Sequence, residues 1–503
     1  MRAYQIESIC EAFRAACDQF ESLIETLNGE AARRMEHGQV EALIQERGTE
    51  VLRLLLQGHL DVRATREERR ADVSGPDGRA LPYCRSGCKR SLMTLFGEVT
   101  VKRKGYRRSG GSGVFPLDGE LNLPGDKFSH GLRRRVAEEA ADTSFEEAIE
   151  RIGKTSGGRI AKRQAEELTV RAARDFAAFY AASHEPGPGS DLLILSVDGK
   201  GVVMRREDLR PATRRASEQA GKNRDARLGP GEKRNRKRMA TVAAVYDLEA
   251  HARTPEQVMG GRDSVRPRAA NKRVWASVER EPAEVIGDAF REALRRDPDR
   301  SRPWVVVVDG AESQLERLFR EAKRCRVSMT LVLDFIHVLE YLWRAAHALH
   351  PVGSKQAEDW VAQRALRVLK GEAAGVARAL RAESAPLSAM AKCADYLEKY
   401  LPLLDYGEFL AHGFPIASGV IEGACRHLIK DRLDRTGARW RLKGAEAVLK
   451  IRSLRSSGDF EAYWAFHQAR EWERNHSRCR QVPNGSVASR EEIPSLQEFR
   501  EAA

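Results

Sequence analysis

Two short apolar runs, each ended by an aspartate and a glycine, constrain the fold of this chain more than any other feature. The runs Leu192–Val197 and Trp304–Val308 are followed by Asp198 and Asp309, and a glycine comes next in both cases. A short continuous apolar run that stops at a turn signal is typical of a buried strand in a parallel sheet. Ligands collect where such strands end. The sequence therefore predicts that both carboxylates lie at one edge of an α/β sheet.

A third acidic residue, Glu422, lies in the sequence Gly-Val-Ile-Glu-Gly at the start of a predicted helix, for which Ser418 is the predicted N-cap. Three carboxylates can hold two divalent cations, an arrangement that stabilises the attacking and leaving oxygens of a phosphodiester. Each acid also has an ordinary alternative role. An aspartate after a strand often caps the following turn, and Glu422 could pair with Arg426 one helical turn later.

The charge of the chain favours a nucleic-acid partner. The formal net charge is +13 and the isoelectric point is near 9.4, with far more arginine than lysine. The guanidinium group pairs bidentately with phosphate oxygens, so this composition suits DNA. A basic soluble protein without such a partner is the alternative.

Two basic segments are predicted to contact DNA phosphates. Lys222–Arg238 leads into a predicted strand, and a second basic series follows Glu422. The residues assigned to DNA binding are Arg234, Arg236, Lys237, Arg238, Arg426, Lys430, Arg435 and Arg439. A solvated loop is the alternative for the first segment. For Trp440, stacking on an unpaired base and anchoring in the core both remain open.

The sequence gives no indication of a membrane partner or of secretion. No stretch approaches the roughly 20 apolar residues of a transmembrane helix. The first residues, Met1–Phe20, mix charged and apolar side chains as an amphipathic helix does, unlike a signal peptide. Eight cysteines are scattered without a framework of pairs, as in reduced proteins. We therefore expect a cytoplasmic protein.

Composition shifts divide the chain into successive predicted segments. These are a helical region at 1–75, a small β-rich module at 76–127, a helical region at 128–185, the first part of an α/β core at 186–334, an all-helical insertion at 335–412, the final helical part of the core at 413–470 and a polar tail at 471–503. In the β-rich module, a hairpin is expected around Phe96 and Gly97. In the second helical region, Phe145–Ile152 and Arg159–Val170 flank a glycine-rich turn, which fits either a DNA-binding helix-turn-helix or plain helical packing.

Within the core, apolar patterning predicts three strands, a helix, a strand, a helix and a strand. The predicted strands are Leu192–Asp198, Val202–Arg205, Thr241–Asp247, Trp304–Asp309 and Ser328–Asp334, and the helices are Ala283–Arg296 and Glu312–Arg324. Acids end the first and the fourth strand. This is the order of elements in a ribonuclease H-like core.

Several motifs occur in a fixed order along residues 45–470. They are Gln57-Gly-His-Leu-Asp, Pro116-Leu-Asp, Ser196-Val-Asp-Gly-Lys-Gly, Lys237-Arg-Met-Ala-Thr-Val-Ala-Ala-Val-Tyr-Asp, Val308-Asp-Gly-Ala, Pro415-Ile-Ala-Ser-Gly-Val-Ile-Glu-Gly-Ala-Cys-Arg and Arg435-Thr-Gly-Ala-Arg-Trp. Together they resemble the ISKra family of bacterial insertion-sequence transposases. Each motif alone is weak, and their order carries the resemblance.

The resemblance implies a transposase with a ribonuclease H-like core and an Asp-Asp-Glu site at Asp198, Asp309 and Glu422. Such an enzyme binds the terminal inverted repeats of its element, cuts them with two Mg²⁺ or Mn²⁺ ions and joins them to double-stranded target DNA. The resemblance also implies a homodimer or a larger assembly, acting on the bacterial nucleoid. Two alternatives remain: a structure-specific nuclease that cuts without joining, and a DNA-binding regulator that has lost catalysis.

Two further features concern supporting residues and zinc. Asp334-Phe-Ile-His337 resembles the Asp-x-x-His motif of the wider Mutator-like group, and we interpret Asp334 and His337 as supporting residues, with Asp334 the rival of Glu422 as third acid. Relatives tend to carry two cysteine pairs around the hairpin, as in a zinc ribbon, whereas this chain has only Cys84 and Cys88 before it. Because a structural zinc takes four ligands, we expect the hairpin module to fold without zinc.

Overall fold

The computed structural model describes residues 2–111, 113–182, 189–219, 235–260, 267–383, 388–435 and 437–477. The chain divides into two compact units. The first comprises Met1–Val136, Ile149–Ala161 and Trp464–Ala503, and the second comprises Ala137–Ala148 and Lys162–Tyr463. Within the described ranges, each helix is too short or too polar to cross a lipid bilayer.

The first unit combines long helices with an antiparallel hairpin. Its elements in chain order are α1 (Arg2–Asn28), α2 (Glu30–Arg33), α3 (His37–Arg66), β1 (Tyr83–Thr94), β2 (Gly97–Arg107) and α4 (Pro116–Glu120). Thr94 pairs with Gly97, so Leu95 and Phe96 form the turn. The predicted hairpin is confirmed, although its turn lies one residue earlier than expected and its strands are longer.

The Gln57-Gly-His-Leu-Asp motif joins α3 to the hairpin and to α1. The Gln57 side chain donates to the carbonyl of Thr100 (2.9 Å) and accepts from its amide (2.8 Å). Asp61 pairs with Lys102 at 2.9 Å. A Cβ atom on Gly58 would lie 2.6 Å from the carbonyl oxygen of Ala12, so only glycine permits this approach of α1 to α3. The motif therefore has a packing role that the contacts explain.

The Pro116-Leu-Asp motif fastens α4 to the same hairpin. The Asp118 carboxylate lies 2.8 Å from Arg103 Nε and 3.2 Å from Arg90 Nη1. All three side chains are at most 16% exposed. Burial lowers the pKa of Arg103, and Asp118 opposes that effect. The charges of Arg90 and Arg103 are therefore both compensated by the buried Asp118 carboxylate.

The second unit is built on a five-stranded mixed sheet. Its strands are β3 (Leu192–Val203), β4 (Lys237–Leu248), β5 (Ala270–Ser277), β6 (Trp304–Val308) and β7 (Thr330–Leu333), in the spatial order β5-β4-β3-β6-β7. Strands β3, β4 and β5 pair antiparallel, whereas β6 pairs parallel with both β3 and β7. The protein is therefore mixed α/β, as predicted. The apolar runs of β3 and β6 are buried, as their continuous apolar pattern predicted.

Two strand predictions are corrected. Val202–Arg205 is not a separate strand, since β3 runs unbroken from Leu192 to Val203 and pairs with β4 along its length. The third antiparallel strand is β5, which the sequence analysis missed because Asn271, Lys272 and Arg273 make its first half polar.

Arg273 is accommodated inside the second unit by a partner that is distant in sequence. It forms a buried ion pair with Glu292. Burial would raise the pKa of the Glu292 carboxyl, but the guanidinium groups of Arg273, Arg296 and Arg295 lower it to about 2. A basic residue can thus occupy a buried strand because its charge is matched there.

The remaining helices of the described chain follow in chain order. They are α5 (His130–Asp142), α6 (Phe145–Thr155), α7 (Lys162–Ala172), α8 (Phe176–Ala181), α9 (Pro211–Gln219), α10 (Pro255–Gly260), α11 (Pro282–Arg296), α12 (Glu312–Cys325), α13 (Phe335–Leu349), α14 (Lys355–Leu369), α15 (Ala373–Glu383), α16 (Ser388–Lys399), α17 (Tyr406–Ala411), α18 (Gly419–Ala424), α19 (Asp431–Leu433), α20 (Leu442–Ser457) and α21 (Phe460–His476). The division into units falls within α5, α6 and α21. Short 3₁₀ turns lie at Arg206–Asp208 and Leu401–Leu403, and a π-helix lies at Cys425–Lys430.

The segment predicted as a helical insertion contains α13 to α17, and its described residues include no strand. Its two ends meet, because the amide of Phe335 donates to the carbonyl of Ile416 at 2.8 Å. The chain thus leaves the sheet after β7 and returns to the same place before α18. The predicted polar tail begins inside α21, and the residues after 477 lie outside the described part of the chain.

We expect Asp118→Asn to lower the free energy of unfolding by about 3 kcal/mol, because removing one partner of a buried ion pair leaves the other charge uncompensated. Urea unfolding of the full chain measures this loss. Glu120→Gln is the matched control, since Glu120 also pairs with two arginines, Arg63 and Arg70, but is 38% exposed. A surface pair contributes about 0–1 kcal/mol. Equal losses in the two variants would contradict the buried role of Asp118.

Candidate active site

Asp198 within β3, Asp309 directly after β6 and Asp334 directly after β7 lie level with one another on three neighbouring parallel chain segments. The register of β3 with β6 continues to Asp198 opposite Asp309, and that of β6 with β7 continues to Asp309 opposite Asp334. The amide of Asp334 donates to the carbonyl of Val308 at 2.7 Å, so the pairing reaches this level. Neighbouring strands lie about 4.8 Å apart. The three acids therefore form a row at the carboxyl edge of β6 and β7.

Asp198 is held by two donors. Its carboxylate accepts from the amide of Gly199 (2.5 Å) and from Cys425 Sγ (3.1 Å). Burial, and then the Asp198 carboxylate, raise the pKa of the Cys425 thiol, so the sulfur remains protonated and donates. Cys425 was not predicted as a site residue from the sequence. Its position three residues after Glu422, close to the same helical face, was the available signal.

Glu422 extends from α18 beside this contact. The residue is exposed, and no described residue forms a hydrogen bond or ion pair with its side chain. The alternative pairing with Arg426 does not form, and Arg426 Nε instead lies 3.9 Å from Asp431 Oδ1. The Glu422 carboxylate also raises the pKa of Cys425, so Asp198 and Glu422 both act on one thiol. A π-helix follows immediately, a distortion that is frequent at functional sites.

Asp334 fastens the return of the chain. It is 3% exposed, and its carboxylate accepts from the amide of Ile336 (2.8 Å) and from the amide (3.3 Å) and hydroxyl of Ser418. Ser418 occupies the predicted N-cap position of α18, but its hydroxyl donates to Asp334 and makes no cap hydrogen bond. Because Asp334 is buried and its carboxylate joins two segments of the chain, this acid is a poorer third ligand than the exposed, unpartnered Glu422.

His337 follows Asp334 on α13. Its Nδ1 lies 3.8 Å from Glu340 Oε2, while the Asp334 side chain is engaged by other donors. The two residues of the Asp-x-x-His motif are therefore neighbours in the helix without the side-chain hydrogen bond that their spacing allows.

Asp309 is followed by a tight turn in which position 310 requires glycine. Its Oδ1 accepts from the amide of Ala311 at 3.0 Å. Gly310 has φ +89°, and a Cβ atom there would lie 2.9 Å from Cζ of Tyr400. The Tyr400 hydroxyl donates to the Gly310 carbonyl. Asp309 thus combines a strand end, a left-handed turn and a tyrosine from the helical insertion.

The first basic segment is only partly described. Arg234, with the rest of 220–234, lies outside the described residues. Arg236 and Lys237 are exposed. The guanidinium of Arg238 instead donates to the carbonyls of Val278 (2.7 Å), Glu279 (3.0 Å) and Asp208 (3.2 Å). This geometry favours a structural role for Arg238 over phosphate contact.

The second basic series is exposed near Glu422. Arg426, Lys430, Arg435 and Arg439 are all solvent-exposed, and Arg435 pairs with Glu147 at 2.5 Å.

Trp440 is 7% exposed, and its Nε1 donates to the carbonyl of Leu433 at 3.0 Å. Its ring packs edge-on against Phe145, with 6.1 Å between ring centres. These contacts support the anchoring alternative and leave the ring unavailable to stack on a base.

The glycine-rich turn of the proposed helix-turn-helix has a contact of its own within the first unit. Gly157 donates from its amide to the carbonyl of Leu95 at 2.8 Å, and a Cβ atom on Gly157 would lie 2.3 Å from the carbonyl oxygen of Phe96. The turn therefore packs on the hairpin tip, which explains its glycines without DNA. Helices α6 and α7 form near the predicted positions, and a DNA-reading role for them remains a prediction.

The acids and the hairpin cysteines are the side chains predicted to bear on metal binding. Cys84 and Cys88 flank a bulge in β1, and Cys88 donates to the carbonyl of Arg85 at 3.6 Å. Within the described ranges, no group of three or more histidine, cysteine, aspartate or glutamate side chains has the arrangement to hold a metal ion. Asp198, Asp309 and Glu422 thus offer oxygen donors of the type that Mg²⁺ and Mn²⁺ take, but their carboxylates do not converge into a complete coordination site.

Comparison with protein-family models and with curated protein sequences gives no match. The function is therefore inferred from the residues and contacts described above.

We expect Asp334→Ala to lower the free energy of unfolding by about 2–3 kcal/mol, because it removes a helix cap and leaves two donors of the half-buried Ser418 unpaired. Ser418→Ala should cost about 1 kcal/mol, and the double variant should cost little more than Asp334→Ala alone, since both remove one contact. Urea unfolding measures all three. The exposed Asp359, which pairs with Lys355 on α14, provides the control Asp359→Ala. A loss for Asp334→Ala no larger than this control would contradict the fastening role.

Proposed function

We propose that this chain is a metal-dependent DNA transposase that cuts the ends of an insertion sequence and joins them to target DNA. The observation that carries the proposal is the alignment of Asp198 and Asp309 on adjacent central strands, with the unpartnered Glu422 beside them. Cys425 links the helix of Glu422 to Asp198.

The succession of elements in the second unit supports a ribonuclease H-like core. Three antiparallel strands are followed by α11, β6, α12 and β7, and a helical segment separates them from α18. The acids lie on the first strand, after the fourth strand and in the returning helix. This is the arrangement that the resemblance to ISKra transposases implies.

The carboxylates of Asp198, Asp309 and Glu422 would hold two Mg²⁺ or Mn²⁺ ions. When bound, such ions activate water or a 3′-hydroxyl and stabilise the departing oxygen during in-line attack on phosphorus. Asp198 lies within β3 and Asp309 directly after β6, and a backbone amide holds one oxygen of each. No described residue restrains the Glu422 side chain, so it is the acid that can turn toward the other two as the site assembles.

The remaining residues of the site orient Asp198 or bind the DNA phosphates. The protonated Cys425 thiol fixes one oxygen of Asp198. Arg426 and Lys430 continue from Glu422 through the π-helix, and Arg439 precedes Trp440, whose amide donates to the carbonyl of Val203 at 3.0 Å. These cations therefore lie near β3 and α18, where they can contact the phosphates on either side of the cleavage point.

We expect Asp198→Asn, Asp309→Asn and Glu422→Gln each to reduce DNA cleavage by at least about a hundredfold, because each removes charge that stabilises the transferred phosphoryl group. Affinity for DNA should change little. The measurement is cleavage of an end substrate in Mg²⁺ or Mn²⁺, beside a gel-shift assay, with Glu408→Gln as a control on an exposed acid of the insertion. Normal cutting by Glu422→Gln would contradict its assignment. Cleavage without joining of a pre-cut end would identify a nuclease instead.

We expect the triple variant Arg426→Gln, Lys430→Gln, Arg439→Gln to bind end and random duplexes equally weakly, because these cations contact phosphates and not base edges. Each lost contact should flatten the slope of log affinity against log salt by about 0.9. The charge-matched control replaces Arg320, Lys323 and Arg326 with glutamine. These exposed cations lie at the far end of α12, which starts next to Asp309 and returns to the opposite edge of the sheet. Equal weakening by both triples would place the DNA elsewhere.

A further inference from the structure

The helical insertion places tyrosines against the edge where Asp309 and Asp334 lie. The Tyr400 hydroxyl donates to the carbonyl of Gly310, and the Tyr406 hydroxyl donates to the carbonyl of Leu333 at 2.8 Å. Gly310 directly follows Asp309, and Leu333 directly precedes Asp334. Two tyrosines thus fasten the insertion to the ends of β6 and β7.

A third tyrosine, Tyr396, lies one helical turn before Tyr400 on α16. Its ring stacks on Tyr341 of α13, with 3.9 Å between ring centres and 11° between planes. Its other contact is edge-on with Tyr400, with ring centres 5.0 Å apart. The ring is therefore held in place on two sides. Its hydroxyl oxygen is buried, yet it has no hydrogen-bond partner among the described residues.

A buried hydroxyl without a partner is unfavourable and calls for an explanation. Burial raises the pKa of Tyr396, and the neighbouring Tyr341 and Tyr400 and the carboxylates of Asp309 and Asp334 raise it further. The hydroxyl is therefore a protonated donor in the field of two acids.

Only one of these two acids has a carboxylate oxygen to spare. Asp334 uses both oxygens, for Ile336 and Ser418. Asp309 uses Oδ1 for the Ala311 amide, and no described residue donates to its second oxygen. Tyr396 contacts the ring of Tyr400, whose hydroxyl donates to the carbonyl of Gly310 next to Asp309, so the unused donor and the unused acceptor belong to adjoining parts of the insertion and the sheet edge. The terminal torsion of an aspartate is soft enough to turn its free oxygen toward such a donor.

We propose that the Tyr396 hydroxyl donates to the Asp309 carboxylate and positions the second acid of the site. Tyr396 is a positioning residue, since it acts through Asp309. The helical insertion then contributes directly to the active site and is more than a spacer between β7 and α18. The effect on DNA cleavage rests on the proposed function, whereas the hydrogen bond does not.

A double-mutant cycle on the unfolding equilibrium tests the hydrogen bond without any assay of activity. Tyr396→Phe should lower the folding equilibrium constant about tenfold more in the native background than in the Asp309→Ala background. Tyr406→Phe is the matched control, because its hydroxyl serves the Leu333 carbonyl and its effect should be the same within about twofold in both backgrounds. The inference is overturned if Tyr396→Phe also shows no difference between the backgrounds.

Cleavage supplies the second readout. Tyr396→Phe should slow single-turnover cleavage about tenfold and leave DNA affinity unchanged, since Tyr396 orients an acid and does not hold the duplex. Cleavage at the native rate would overturn the positioning role. A native protein that does not cut DNA would contradict the proposed function, and the stability cycle would still decide the hydrogen bond.

Discussion

Parallel pairing of β6 with β3 and β7 is the constraint on which the rest of the candidate site depends. The register of these strands fixes the level of Asp198, Asp309 and Asp334, because a shift by one residue would turn every side chain to the other face. The buried apolar side chains fix the register of the strands, and this register determines where the acids lie. Packing of the sheet and placement of the carboxylates are thus one property of the same residues.

The acids divide the work according to how firmly each is held. Asp198 lies within a continuous strand, Asp309 in a turn, Asp334 in a network of hydrogen bonds and Glu422 on a short exposed helix. The most restrained acid, Asp334, joins chain segments, and the least restrained one, Glu422, is available to a ligand. Cys425 connects a restrained acid with an unrestrained one. Its thiol donates to Asp198, and the residue lies three positions after Glu422 in the chain.

Sequence patterning predicted the features that depend on local order and missed those that depend on distant partners. The runs before Asp198 and Asp309 identified two buried strands, although β3 continues past Asp198 to Val203. Strand β5 was not predicted, because an arginine at position 273 suggests a solvent-exposed segment. In the structure, Arg273 is buried in an ion pair with Glu292, which is distant in sequence. Arg238 looked like a phosphate ligand until carbonyls about 30 to 40 residues away engaged it. Tyr396 gives no local signal, since its environment forms only when the insertion packs on the sheet.

The meeting of the two ends of the insertion, through Phe335 and Ile416, has a consequence for how such a chain can change over evolutionary time. A segment that leaves and re-enters a fold at one point can gain or lose helices without displacing the strands on either side. We therefore expect weak selection on its length and stronger selection on the few side chains that touch the sheet. Homologues should consequently differ most in the outer helices, and the tyrosine face of α16 should vary with the acids it adjoins.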